Sequence, residues 1–178
     1  MNNKTGPWLA LGITTVVIGA DQLLKLAVTE RLGPGASSRR WEFAGRFLAI
    51  EYVENTGAAF GIMRGQSGVL VFAAVLAVVI LVSALVKRAV TSRMVATGLG
   101  LVLGGALGNL SDRVRLDYVI DYIAVGEWPK FNLADCAISV GLVLLGWYSL
   151  REPRGEEGAA THVTHVHPSG PDGKERNA

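Results

Sequence analysis

Residues 68–86 read GVLVFAAVLAVVILVSALV, a run of 19 residues without a charge, stopped by Lys87 and Arg88. At 1.5 Å per residue a helix of this length covers about 28 Å, close to the ~30 Å hydrocarbon core of a bilayer. The run is a transmembrane helix by length and composition. The whole chain agrees with it: of 178 residues 50% are hydrophobic and 18% charged, with a mean hydropathy of +0.36. That balance is high for a water-soluble domain and ordinary for a small polytopic membrane protein.

Working outward, Pro7 to Ala20 is almost wholly apolar, and Asp21 to Val28 continues it as a helix carrying Asp21, Gln22 and Lys25. A charged helical turn follows the apolar run where a secretory signal would have a small-residue cleavage site, so 7–28 is read as an uncleaved first span. Met94 to Leu110 is a third, with Gly98, Gly100, Gly104, Gly105 and Gly108 giving it a small face for close helix packing in lipid. Asn132 to Leu150 is a fourth, ending in an interfacial Trp147-Tyr148 pair. The sequence therefore predicts an all-α polytopic membrane protein of four transmembrane helices, 7–28, 68–86, 94–110 and 132–150, in one domain over 1–151. Polar loops at 29–67 and 111–131 lie on one side and both termini on the other. Within the first loop, Trp41–Phe43 and Arg46–Val53 flank Ala44-Gly45 and predict a small β-hairpin or sheet at the membrane surface. A lone hairpin is marginal in water, so it must lean on the bilayer or the helices. Residues 152–178 are polar and contain Gly and Pro without apolar periodicity, which predicts a disordered tail.

Charge leaves the orientation open. The terminal face carries six basic residues (Lys4, Lys87, Arg88, Arg93, Arg151, Arg154) and the loop face eight (Arg31, Arg39, Arg40, Arg46, Arg64, Arg113, Arg115, Lys130), which is undecided or slightly against a cytoplasmic terminal face. The basic residues are scattered, so nucleic acid is not an expected partner. Cys136 is the single cysteine, which excludes an internal disulfide and a Cys-based zinc site.

Chemistry concentrates in residues 104–135, GGALGNLSDRVRLDYVIDYIAVGEWPKFNLAD, with Asp112, Asp117, Asp121 and Asp135 between two strongly apolar segments. Carboxylates are costly beside membrane-grade runs and mark a functional site. His162, His165 and His167 all lie in the tail, so the membrane domain holds no Ser/His or Cys/His pair, and no HExxH zinc helix exists. The tail's HVTHVH reads as a solvated linker, and neither a metal nor a cofactor is expected. Two mechanisms remain: a Ser111/Lys25 pair, or two carboxylates. Asp121 in VIDYI and Asp135 in FNLAD both fall at the loop-face boundary. Two carboxylates close together in low dielectric hold one proton between them, so the charged one can activate water while the protonated one polarises a carbonyl. Spacing alone leaves the alternative of two structural residues, Asp121 capping a short helix and Asp135 pairing with Arg113.

Five motifs, DQLLK (21–25), ENTGAAFG (54–61), GGALGNLSDR (104–113), VIDYI (119–123) and FNLADCAI (131–138), together resemble the motif set of the bacterial lipoprotein signal peptidases, the signal peptidase II family. They occur in the family's order and span residues from about 8 to 150. The resemblance implies an intramembrane aspartic endopeptidase, with Asp121 and Asp135 as the dyad, cleaving the signal peptide of a prolipoprotein just before its diacylglyceryl-modified cysteine. It implies that Asn55, Asn109, Arg113 and Asn132 line and brace the site, with Arg113 neutralising Asp112 or positioning a carboxylate. Gly57, Gly105 and Gly108 match positions of close backbone approach, with plain helix packing as the alternative. Asp21 and Lys25, spaced i,i+4, are either supporting residues or a structural clasp. Cys136 follows Asp135 without a base nearby and reads as a small helix residue. The resemblance further implies termini in the cytoplasm, a site at the periplasmic face of the inner membrane, a first-loop sheet cradling the substrate, a monomer in contact with membrane lipid, and inhibition by globomycin-like cyclic peptides. A four-span cation transporter using Asp21, Asp121 and Asp135 is the runner-up, though transport acids belong near the bilayer midplane. A non-catalytic membrane scaffold is the third reading, and it gives no reason for two boundary aspartates beside Asn-containing motifs.

Overall fold

The computed structural model describes residues 5–45, 47–57, 67–87, 90 and 92–151. The tail at 152–178, with its three histidines, lies outside the described residues. Four helices are long and apolar enough to cross a membrane: α1 (Gly6–Leu32), α2 (Ser67–Val86), α3 (Arg93–Leu116) and α4 (Leu133–Arg151). Three strands, β1 (Arg40–Glu42), β2 (Leu48–Asn55) and β3 (Val119–Val125), form one antiparallel sheet in the order β1-β2-β3.

Helix α3 is the hub. In its most apolar stretch 61% of residues are buried, against 6% in α2, so α3 is enclosed while α2 turns most of its surface outward. Its glycines make this possible. A Cβ at Gly100 or Gly104 would meet Ala10 and Val17 of α1, and one at Gly98 or Gly105 would meet Leu145 and Ala134 of α4. Backbones that close gain dispersion contact where lipid supplies no hydrophobic drive between helices. On α1 the buried residues Ala10, Thr14, Val17, Asp21, Lys25, Val28 and Leu32 recur at three and four positions, one helical stripe facing inward. Polar groups on it find partners: Thr14 Oγ1 donates to the Gly100 carbonyl at 3.2 Å.

Two features differ from the sequence reading. Helix α3 runs past the expected end at 110 to Leu116, because Asp112 is not solvated loop but is 1% exposed and bound to Lys25. The helix stops only at Asp117, whose φ of 65° makes a left-handed cap with its N–H on the Arg113 carbonyl. Secondly, the expected small sheet of the first loop gains a strand from the second: Val119–Val125 pairs along β2, with Val53 opposite Asp121 and Asn55 opposite Val119. The third strand closes the sheet onto the bundle: Tyr52, Ile120 and Tyr122 bury against Val28 and Leu32 at the end of α1. That contact supplies the support a lone hairpin lacks.

Candidate active site

Asp121 sits in mid-β3 and Asp135 in the first turn of α4, joined by thirteen intervening residues that fold back on themselves. The return is fixed by a bridge in which Ile123 N–H donates to the Phe131 carbonyl at 2.8 Å and Phe131 N–H to the Ile123 carbonyl at 3.2 Å. Asn132 then caps α4. Its Oδ1 accepts the Asp135 N–H at 3.0 Å, while its own N–H donates to Asp135 Oδ2 at 3.2 Å, a reciprocal box that satisfies two otherwise orphan donors.

Each oxygen of the two carboxylates receives an N–H. Asp121 Oδ1 accepts from Asn132 Nδ2 at 2.8 Å and its Oδ2 from Asn55 Nδ2 at 2.8 Å. Asp135 Oδ1 accepts from Asn109 Nδ2 at 2.8 Å, and its Oδ2 from the Asn132 backbone. The amides have no choice of orientation, because the oxygen of each is already engaged. Asn55 Oδ1 accepts from Gly57 N–H (2.9 Å), Asn109 Oδ1 from Lys25 Nζ (3.0 Å) and Asn132 Nδ2 (3.1 Å), and Asn132 Oδ1 from Asp135 N–H. Their NH2 groups are left to face the acids. Burial pushes the Asp121 carboxyl up to about 7 against the pull of these donors, and the neighbouring Asp135 adds to the rise.

Behind the asparagines lies an ionic cluster. Lys25 Nζ, 2% exposed, contacts Asp21 Oδ2 at 2.8 Å and Asp112 Oδ2 at 2.7 Å. The i,i+4 clasp of Asp21 and Lys25 is therefore real, and it is part of something larger: Asp21 Oδ1 accepts the Ala134 N–H of α4 at 3.1 Å, and Asp112 Oδ2 that of Ile120 in β3 at 3.3 Å. Among the described contacts, Asp112 takes its cation from Lys25 while Arg113 donates to the Gly57 carbonyl at 3.3 Å, so of the two roles expected for Arg113 an ion pair with Asp112 is not among those contacts. Lys25 is engaged by Asp21, Asp112 and Asn109, and Ser111 is not among its described partners. Gly105 and Gly108 do allow close approach, the first to the Ala134 carbonyl and the second to the Asp21 carboxylate, where an added Cβ would fall 2.7 Å from Oδ2.

Sequence reading passed over Gln22 and Tyr122. Gln22 Nε2 donates to Asp112 Oδ1 at 2.9 Å and its Oε1 accepts from Arg115, tying α1 to α3. Tyr122 Oη accepts the Leu133 N–H at 3.2 Å. Both stand beside a residue the motifs did single out, and that adjacency was the available signal. Among the described residues no group of His, Cys, Asp and Glu is arranged to hold a metal ion.

A cavity of about 560 Å³ opens onto the two aspartates. Asn55, Gly57, Asn109 and Arg113 are among its polar lining, and Trp128, Phe131, Ile138 and Val140 among its apolar lining. Val140 is 53% exposed on the outer face of α4, so the cavity is continuous with the surface that α4 turns to lipid. Cys136 lines it as well, with no histidine among the described residues to activate it. The arrangement can admit a chain carrying an apolar group and present two carboxylates to it.

The sequence matches the family described as Signal peptidase (SPase) II over residues 13–151. A lipoprotein signal peptidase of Moorella thermoacetica is 39% identical over 85% of this chain and 97% of its own; one from Dehalococcoides mccartyi is 42% identical over 73% and 81%. A solved bacterial membrane enzyme superposes with a TM-score of 0.73 at 26% identity, covering 83% of this chain and 91% of that one. With the family match covering most of the chain and the relatives matched over at least four-fifths of their own length, the chain belongs to the signal peptidase II family.

Proposed function

We propose that this protein is an intramembrane aspartic endopeptidase that removes the signal peptide from diacylglyceryl-modified prolipoproteins, cutting on the N-terminal side of the lipidated cysteine. Its relatives' name, lipoprotein signal peptidase, supports the substrate. The catalytic type rests on one observation: Asp121 and Asp135, with each of their four carboxylate oxygens held by an N–H, line one cavity together with polar side chains and with the apolar Ile138 and Val140 of α4.

The chemistry follows from a single shared proton. The charged carboxylate takes a proton from water as the oxygen attacks the scissile carbonyl, and the protonated one gives its proton to the carbonyl oxygen. The tetrahedral diol then collapses: one hydroxyl returns its proton to a carboxylate, the C–N bond breaks, and the departing amine of the cysteine takes a proton from the dyad. One proton again remains on the pair. Neutral amide donors hold the carboxylates in place without fixing which one is protonated, which suits a pair that alternates roles. The apolar residues of α4 receive the acyl chains while the scissile bond stays at the two carboxylates.

The protein works as a monomer, since one chain supplies every group named. Its termini are cytoplasmic and its site lies at the periplasmic face of the inner membrane, where translocated prolipoproteins arrive. A globomycin-like cyclic peptide competes for the same cavity. The transporter reading has no support in the family match. The test is cleavage of diacylated and non-acylated prolipoprotein in detergent by the parent, Asp121→Asn and Asp135→Asn chains. The parent is expected to cut only the diacylated form and both variants to be folded and inert; a variant with near-parent turnover removes the dyad assignment.

A further inference from the structure

Two carboxylates on different elements act together only if those elements are fixed relative to one another. The first turn of α4 carries Asp135, and its free N–H groups, which no helix can satisfy internally, are each taken by a different acceptor. Asn132 Oδ1 takes Asp135 N–H at 3.0 Å, Asp21 Oδ1 takes Ala134 N–H at 3.1 Å, and Tyr122 Oη takes Leu133 N–H at 3.2 Å. The last is the one that reaches α4 from the strand bearing Asp121.

Successive residues of a strand point to opposite faces. Asp121 therefore turns to the cavity and Tyr122 to the other side, where its ring is 4% exposed in a cluster with Val28, Leu32, Tyr52 and Ile120. Burial pushes its phenol up to about 12, so the hydroxyl is neutral at any working pH. The strand is already tied to the helix leader by the backbone bridge of Ile123 with Phe131 and by the Asn132 amide, which donates to the Ile120 carbonyl and to Asp121 Oδ1. Those ties end at the cap. The phenol reaches one residue further, to the first residue of the helix itself.

We infer that Tyr122 is a positioning residue for the peptidase reaction: its hydroxyl is a strut between β3 and α4 that sets Asp135 against Asp121. The inference rests on the dyad reading above and adds to it a residue that touches neither acid. Its ring contributes to the core, but the hydroxyl is what meets α4.

Tyr122→Phe keeps the ring and deletes the strut. On a diacylated prolipoprotein it is expected to lower kcat about 5- to 20-fold with KM within about twofold of the parent, assayed well below the unfolding midpoint. Tyr118→Phe is the control, because the Tyr118 hydroxyl bonds Tyr52 in the same cluster at 3.1 Å and does not reach α4; its kcat is expected to stay within about twofold. Leu133→Pro deletes the same bond from the helix side, at the first helical position, where proline is tolerated. It is expected to reproduce the fall in kcat, and the double variant to lose no more than about twofold beyond either single one. This arm decides the question where Tyr122→Phe fails to fold. Parent-like kcat in Tyr122→Phe or Leu133→Pro, an equal fall in Tyr118→Phe, a loss confined to KM, or full additivity overturns the inference. If instead Asp121→Asn or Asp135→Asn remains active, the dyad reading itself has failed.

Discussion

Replacing Asp121 with asparagine abolishes cleavage under the proposed mechanism, and the structure says it also changes stability in a pH-dependent way. Burial holds the Asp121 carboxyl at about 7 in the folded chain against an ordinary 3.8. The folded state then binds a proton that the unfolded state has released, and the native chain loses stability as pH rises from 3.8 to about 7. Three pH units at roughly 1.4 kcal/mol each give ~4 kcal/mol as an upper figure. Asparagine does not titrate, so Asp121→Asn escapes this loss. It brings a fixed cost instead, because both Asp121 oxygens face N–H donors from Asn55 and Asn132 and the new NH2 must oppose one of them, at about 1–3 kcal/mol. The variant is thus expected to be less stable than the parent near pH 4 and more stable near pH 8. The crossing cancels the fixed term, leaving the pH dependence as the measured quantity. Thermal unfolding in a non-ionic detergent, followed by tryptophan fluorescence at one scan rate because membrane proteins commonly unfold irreversibly, reads it directly. At about 2–4 °C per kcal/mol, the difference in midpoint between variant and parent is expected to move by roughly 8–16 °C between pH 4 and 8. A difference constant within about 2 °C across that range refutes the reasoning, since Asp121 would then not be holding a proton in the folded chain.

Two other changes probe the scaffold around the pair. Asn55→Ala removes the donor to Asp121 Oδ2; a hydrogen bond to a charged group is worth about 1.5–3 kcal/mol, so kcat/KM for diacylated prolipoprotein is expected to fall roughly 10- to 150-fold, and a change under threefold would show that the donor is idle. Gly105→Ala sets a methyl group against the Ala134 carbonyl and is expected to push the first turn of α4 off α3, costing activity at least tenfold and lowering the midpoint, whereas Gly12→Ala, with nothing within 4 Å of the new atom, leaves both unchanged.

The four helices were legible because lipid leaves a compositional mark: α2 at Ser67–Val86 begins and ends within a residue of the expected 68–86. What was not legible is polar structure held by distant partners. The last turns of α3 contain Ser111, Asp112, Arg113 and Arg115, which by composition belong in water, and they are helical because Asp112 meets Lys25 from α1. Strand β3 was hidden for a related reason. Its Val119, Ile120, Tyr122 and Ile123 carry the β-branched and aromatic signal, but Asp121 in their midst made the segment read as polar loop. The motif resemblance named the residues that the structure gathers at the cavity, yet nothing in one dimension tells which way an asparagine amide turns.

That orientation is what sorts the four aspartates gathered around Lys25 and the asparagines. Asp21 and Asp112 each contact the Lys25 ammonium within 2.8 Å, and each also holds a backbone N–H, Asp21 Oδ1 that of Ala134 in α4 and Asp112 Oδ2 that of Ile120 in β3. They are thereby committed to joining elements. Asp121 and Asp135 meet asparagine and backbone N–H donors instead of an ion-pair partner among the described contacts, and the hydrogen-bonded link from Lys25 to Asp135 runs through the Asn109 amide that Lys25 orients. A carboxylate pinned by a buried ammonium is poorly placed to take and return a proton each cycle, whereas one held by neutral donors can do so without breaking an ion pair. Under the proposed mechanism, Lys25 thus sets a structural pair of acids apart from the reacting pair by where its single charge lands, and the asparagines carry geometry, without charge, from the first pair to the second.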